Sequence, residues 1–445
     1  MLTGLPLLLV ILLAVAFVVV ASSKLKLHPF LALLLASLGT GLAAGLPLQD
    51  LIAAINGGFG GLMGYIGLVV VIGSMIGTVL EKSGAAMRIA TLILRLVGNK
   101  RPALAMSIIG ATVSIPVFCD SGFIILSGLN SALSRKTGAK KASLALALAA
   151  GLYTTHTLVP PTPGPIAAAG NLGASAHLGI IMLVGLLVSV PTIALAYFVA
   201  VKKGAGIAAQ ELDIVQAEPS ALPPAIRSLA PVLVPILLIA TATGVNFAKM
   251  EGWAADWLLF LGHPLMALLV GLLLSFSLFK KWDGEHLGDW LGEGVKLAGP
   301  ILVVTGAGGA FGGVLKATPL ADLVASWVAG GSFSGGAFLL VAFLIAALLK
   351  TSQGSSTNAL VITSSMLAPL VGTMGFATPF ELALVVMAIG GGAMTLSHAN
   401  DSYFWVVAQF SGISLKDAYR GFSVLTGLQG LVVLATTLLL YFVFV

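Results

Sequence analysis

Thr154-Thr155-His156-Thr157-Leu158-Val159-Pro160-Pro161-Thr162-Pro163-Gly164-Pro165 interrupts a chain that is otherwise almost continuously apolar. A second polar stretch, Lys350-Thr351-Ser352-Gln353-Gly354-Ser355-Ser356-Thr357-Asn358, does the same in the other half. In hydrocarbon an unpaired amide or carbonyl is so costly that irregular backbone persists only where it is buried in protein or lines a cavity. Four prolines within residues 160–165 remove amide donors and forbid a continuous helix. Two such breaks, in corresponding places of two halves, point to a polar site inside a membrane protein.

Composition agrees. The chain has 445 residues, 58% hydrophobic and 9% charged, with 54 glycines and a mean hydropathy of +1.08. Soluble domains carry about 25% charged residues. Apolar runs such as residues 2–21, 179–201 and 424–445 are long enough to span a bilayer. The first run has no basic flank and no small-residue cleavage site, so it reads as a retained helix rather than a signal peptide. Cys119 is the only cysteine, which excludes an internal disulfide framework and a thiolate-rich metal site.

The formal charge of +6 is a matter of topology, not of nucleic-acid binding. With the N-terminus outside and the spans threaded in order, all 22 Lys and Arg except Lys249, Lys316 and Lys350 face the cytoplasm. The positive-inside rule then sets the orientation, with both termini on the periplasmic side.

Spans at 2–21, 27–46 and 59–80 are followed by residues 81–100. There Arg88 and Arg95 oppose Ile89, Leu92, Ile93 and Leu96, the pattern of an amphipathic interfacial helix. Two apolar runs, 102–118 and 123–133, are flanked by charge at both outer ends, which predicts a re-entrant hairpin with its tip at Cys119-Asp120-Ser121-Gly122. Residues 142–159 climb to the proline break and 178–201 return.

The polar segment 202–227 reads as a cytoplasmic linker, and spans at 229–246 and 264–279 lead into a second copy. Gly73-Ser74-Met75-Ile76-Gly77-Thr78-Val79-Leu80 aligns with Gly308-Gly309-Ala310-Phe311-Gly312-Gly313-Val314-Leu315. After it come a short amphipathic piece (320–328), a hairpin with its tip at 350–358, and a span broken at Ser397-His398-Ala399-Asn400-Asp401-Ser402. The expected fold is an all-α polytopic membrane protein of two inverted repeats, each with a re-entrant hairpin and a broken transmembrane helix. The expected division is N-terminal scaffold helices at 1–56, a first repeat at 57–201 (hairpin 102–134, broken helix 142–176), a linker at 202–228, and scaffold helices at 229–291. A second repeat follows at 292–445, with its hairpin at 334–375, broken helix at 380–410 and last helix at 421–445.

Ionisable groups inside the membrane mark ion or substrate routes. Asp120 fits such a route, or caps the returning half-helix; both roles are open. His156 can relay protons near neutral pH or be a satisfied structural histidine. Gly354 permits a tight tip, after which Ser355, Ser356, Thr357 and Asn358 open a half-helix whose free amides favour an anion. Lys350 can neutralise a carboxylate, snorkel outward or pair with an acid. The candidate substrate-lining residues are Ser121, Gly122, Thr155, His156, Thr157, Pro161, Thr162, Ser355, Ser356, Thr357, Asn358 and Asn400. Asp120, Asp401 and His156 are candidates for proton coupling, with Asp120 favoured. His156, His398 and Asp401 lack the ligand spacing of a known metal site, and no phosphate-binding loop occurs, so neither metal nor cofactor is expected.

The runs Val117 to Phe123, Thr154 to Pro165, Lys350 to Asn358 and Ser397 to Trp405 resemble those of the gluconate permease family of bacterial proton symporters. The likeness extends over essentially the whole chain. It implies an inner-membrane carrier for gluconate or a related small hydroxy acid; relatives move fructuronate, glycerate or D-serine. The wider ion-transporter superfamily implies a homodimer in which a mobile domain of hairpins and broken helices moves against a static scaffold. The partners expected are thus a small carboxylate, a proton, the bilayer and a second copy. Sodium coupling, an anion channel and an intramembrane enzyme are the alternatives.

The charge pattern makes a direct prediction. In intact cells an impermeant thiol reagent should label a cysteine placed next to Val445 and spare Ser220→Cys; the reverse pattern would overturn the orientation and the inverted repeat with it.

Overall fold

A computed structural model describes residues 1–98, 100–210, 222–279, 284–320, 335–398 and 401–445. The described residues form helices joined by short turns. Among the described residues six helices are long and apolar enough to cross a membrane, or eight if each of two bent pairs is one span. Where the apolar faces are lipid-like, as at Leu13, Val190, Leu237 and Leu439, the side chains are more than half exposed, which is stable only in an apolar solvent.

The first half runs through α1 (Gly4–Ser23), α2 (Pro29–Ala43), α3 (Leu48–Lys82), α4 (Ala85–Val97), α5 (Pro102–Val113), α6 (Cys119–Thr137), α7 (Lys141–Leu158), α8 (Pro163–Asn171) and α9 (Leu178–Gly204). The second half has α10 (Ala225–Phe247), α11 (Trp253–Gly262), α12 (Pro264–Ser275), α13 (Gly284–Ala317), α14 (Gly336–Gln353), α15 (Ser356–Leu367), α16 (Pro379–Met394), α17 (Ser402–Ser411) and α18 (Val424–Phe444). α3 lies along α13, α5 packs on α7 as α14 packs on α16, and α8 packs on α15.

The long helices α3 and α13 approach closely through glycine. A Cβ at Gly58 would run into the Gly309 carbonyl, one at Gly309 into that of Gly58, and one at Gly313 into that of Ala54. This contact also explains where the elements differ from expectation. α3 begins at Leu48, not near residue 59, because Gly57, Gly58, Gly60 and Gly61 stay helical despite poor propensity once α13 covers part of that face. α3 therefore runs through residue 57, and α13 starts at Gly284, before 292.

The turn of the first hairpin differs too. It falls at residues 114–118, where Ser114 Oγ donates to the Val117 carbonyl, and Cys119 to Gly122 form the first turn of α6 rather than the tip. Pro116 sits in that turn, with no amide to donate. The second hairpin turns at Gly354, whose φ of +79° suits glycine. Residues 253–278 form a helix pair bent by 68° at His263-Pro264, not the single span 264–279. α4 is present, with Ile89 and Ala90 buried. Residues 321–328 of the expected amphipathic piece and residues 211–221 of the linker lie outside the described residues.

The glycine seam predicts asymmetric sensitivity. Gly309→Leu should destabilise the detergent-solubilised protein by about 1–3 kcal/mol through overpacking. Gly60→Ala, whose Cβ meets nothing within 4 Å, should not. Equal melting temperatures in a thermal-shift assay would refute close packing at this seam.

Candidate functional site

Four half-helices begin near one another: α6, α8, α15 and α17. Ser402 Oγ donates to Asp120 Oδ1 at 3.3 Å, bringing the first turns of α17 and α6 together. Lys350 Nζ lies 2.6 Å from Asp401 Oδ2, tying the second hairpin to the start of α17. Gly164 sits against Thr357 and Leu360, so α8 and α15 start side by side. Phe118, Thr162 and Pro163 line one small cavity with Ser74 of α3, which joins the turn before α6 to the start of α8. The contacts close a ring of four helix N-termini.

Each N-terminus carries first-turn amides without intrahelical partners and the positive end of the helix dipole. α15 and α17 have side-chain caps: Ser355 Oγ accepts from Asn358 N at 3.2 Å, and Asp401 Oδ1 from Tyr403 N at 3.0 Å. α6 and α8 have none. In α8, Pro163 and Pro165 lack amides, so Gly164 is the free donor of that turn. A ring of this kind attracts an anion.

Asp401 and Lys350 are 4% and 1% exposed. The carboxylate also accepts from Ser397 Oγ, and the ammonium donates to the Gly354 carbonyl at 2.6 Å, with the Tyr153 ring 5.7 Å away. His398 Nε2 is 2.9 Å from the Thr351 carbonyl. Of the three roles open to Lys350, the structure selects pairing with an acid, and that pair locks the hairpin tip to the second break.

Asp120 is held more loosely. It does not cap α6, whose N-cap is Phe118; besides Ser402 it has Cys119 Sγ at 3.8 Å from Oδ2. Ser121 lies beside Glu81 of α3. Gly122 is buried where a Cβ would meet Leu152, so packing accounts for the glycine.

At the first break, Thr155 Oγ1 donates to the Ala111 carbonyl at 2.8 Å and Thr157 Oγ1 to that of Tyr153 at 3.1 Å. Thr162 Oγ1 donates to Val159 O at 2.6 Å, and Pro161 lines the small cavity with it. His156 is 5% exposed, its ring against Phe118 at 6.1 Å, and its Nδ1 is buried without a partner. At the second tip Ser356 is buried, while Ser355, Thr357 and Asn358 are half-buried. Asn400 lies outside the described residues.

Several residues around the site were not among the candidates read from the sequence. Ser397 and Ser402 bond the two acids. Gln429 of α18 donates to Thr154 Oγ1 at 2.7 Å and the Ala150 carbonyl at 3.0 Å. It is the one amide side chain of an otherwise apolar span, and that isolation was the available signal. Ser74 is buried with an unpartnered hydroxyl beside the small cavity; the sequence marked it only as part of the segment Gly73 to Leu80. Among the described residues no group of three or more His, Cys, Asp or Glu is placed to hold a metal.

A multi-helical membrane body with half-helix ends gathered at its interior is the build of a multi-pass membrane permease. The chain belongs to the GntP permease family, whose model matches residues 6–443. It is 32% identical to the gluconate permease of Pseudomonas aeruginosa, over 95% of this chain and 94% of that one. It is 29% identical to the D-serine transporter of Escherichia coli strain K12, over 97% and 98%. Its fold resembles the Alcanivorax borkumensis YdaH transporter, with a TM-score of 0.63 at 17% identity over 89% and 88% of the two chains. It also resembles Neisseria gonorrhoeae MtrF, again at 0.63, with 15% identity over 89% and 85%.

The buried pair sets a test. Removing one partner strands a buried charge, so Lys350→Met should destabilise by about 3–5 kcal/mol. Adding Asp401→Leu should recover part of that loss. A double variant no more stable than Lys350→Met would show that the two groups are not coupled.

Proposed function

We propose that the chain imports gluconate or a related small hydroxy acid across a bacterial inner membrane by proton symport. The observation that carries the reading is the ring of four half-helix N-termini, electropositive by construction and walled by hydroxyl and amide side chains. Such a site suits one carboxylate and several hydroxyls: the dipole ends take the charge, and Ser355, Ser356, Thr357 and Asn358 pair with the polyol. Gluconate permeases among the relatives support the substrate class. A D-serine transporter of similar identity supports a second reading, a small hydroxy amino acid, which offers the same carboxylate and hydroxyl.

In this reading α3–α9 and α13–α18 are two inverted copies. The hairpins are α5–α6 and α14–α15, and the broken spans α7–α8 and α16–α17. These parts move together, elevator-fashion, against α3, α13 and the remaining scaffold in a homodimer. Both termini are periplasmic and the linker is cytoplasmic.

Asp120 is the coupling acid. Asp401 is committed to Lys350, Ser397 and the Tyr403 amide, whereas among the described residues Asp120 has Ser402 and a thiol to replace. Asp401 orients the tip, Lys350 compensates its charge, and His156 is the next candidate relay.

The test is uptake by purified protein in liposomes, offering gluconate, glycerate and D-serine under imposed proton or sodium gradients. A proton gradient should drive gluconate accumulation with saturable counterflow. Ohmic conductance would instead mean a channel, and chemical change of the solute an enzyme. Asp120→Asn should abolish proton-driven accumulation and leave exchange. Alanine at Thr357 or Asn358 removes one partner of a buried hydrogen bond, about 1–3 kcal/mol, and should weaken affinity by roughly 5- to 150-fold. Unchanged affinity in both variants would remove the second tip from the site.

A further inference from the structure

A cleft of about 400 Å³ lies between α3 and α13 on one side and the far ends of α8 and α15 on the other. Its lining includes Gly57, Gly61, Asn171, Lys316 and Ser365. The glycines around it are of two kinds. On α13, Gly308 and Gly312 back onto Ser365, and Gly309 and Gly313 onto α3. Gly57 and Gly61, one turn apart on α3, have nothing within 4 Å of where a Cβ would be. Glycine weakens a helix relative to alanine, and here no close approach explains it. What these two positions provide is open space.

The polar groups in the cleft have a definite chemistry. Lys316, in the last turn of α13, is the one charged side chain of the lining among the described residues, and it is exposed. Asn171 is only 8% exposed. Its Nδ2 donates to the Val361 carbonyl at 3.1 Å and Ser364 Oγ at 2.8 Å, fastening α8 to α15 and leaving Oδ1 free as an acceptor. Ser365 Oγ donates to Val361 and Ile362 carbonyls, so it too presents an acceptor. One cation beside hydroxyl acceptors, in a space of the size small-molecule sites occupy, matches a small hydroxy carboxylate.

We propose that this cleft is the outer vestibule of the permease, where Lys316 captures the carboxylate of an incoming hydroxy acid before it reaches the ring of half-helix ends. The proposal rests on the orientation and substrate class argued above. An exposed charge at the rim acts on capture more than on turnover. Lys316→Gln should therefore raise the KM for gluconate by about 5-fold, leave the maximal rate unchanged and flatten the dependence of KM on ionic strength. Lys316→Arg should retain the native KM. A native KM and salt dependence in Lys316→Gln would remove Lys316 from the route.

The vestibule is tested separately with Gly61→Cys and Gly57→Cys. The native chain's sole cysteine, Cys119, is 2% exposed and provides the unlabelled control. An impermeant thiol reagent added outside should label both variants and block uptake, with gluconate slowing the reaction. Labelling only from the cytoplasmic side, or labelling that leaves uptake intact, would overturn the vestibule. If the native protein takes up D-serine but not gluconate while labelled Gly61→Cys is blocked, the substrate reading fails and the vestibule stands.

Discussion

The ion pair of Lys350 and Asp401 is the constraint on which the interior depends. Two broken segments in the second half of the chain must come together with their polar groups satisfied, away from water. The pair meets that demand with one contact. It neutralises both charges, caps α17 through the other carboxylate oxygen, and ties the Gly354 turn through the ammonium. Ser397 and the Tyr153 ring complete the shell. Desolvation makes such a pair a poor source of net stability, but breaking it is costly. Its effect is positional: it sets where the second tip stands relative to the second break.

The first half meets the same demand differently. Its broken span carries hydroxyls that bond back to nearby carbonyls, and prolines that leave few amides to satisfy. No ion pair joins its hairpin to its break among the described residues. The contact runs instead through Phe118 against His156 and through the small cavity at Thr162 and Pro163. One half is pinned by charge and the other packed by rings and prolines, and Ser402 on Asp120 links the two. That asymmetry leaves Asp120 the less committed acid.

Much of this is legible in the sequence, and the reasons are physical. Polar residues in an apolar chain stand out because hydrocarbon tolerates them only at breaks, so Val159 to Thr162 and Gly354 fell where expected. Pairing across distance was not legible: Lys350 and Asp401 are 51 residues apart, and the sequence left three roles open for the lysine. The start of α3 at Leu48 was not legible, because the helix α13 that covers Gly57 to Gly61 lies far along the chain. The first tip falls earlier than its polar residues suggest, because Pro116 lacks an amide and suits the turn while Cys119 to Gly122 continue as helix. Gln429 needed its partners Thr154 and Ala150 in view, and Ser74 the cavity beside it. The family resemblance, by contrast, rested on local motifs and held over the full length matched.

The central claim is that the converging half-helix ends form the anion site. It is tested most directly by determining the structure of the protein with gluconate bound. The account predicts the carboxylate within hydrogen-bonding distance of first-turn amides of α6, α8 or α15, with hydroxyls paired to Ser356, Thr357 or Asn358. Gluconate bound elsewhere in the protein, with the ring of helix ends empty, would contradict it.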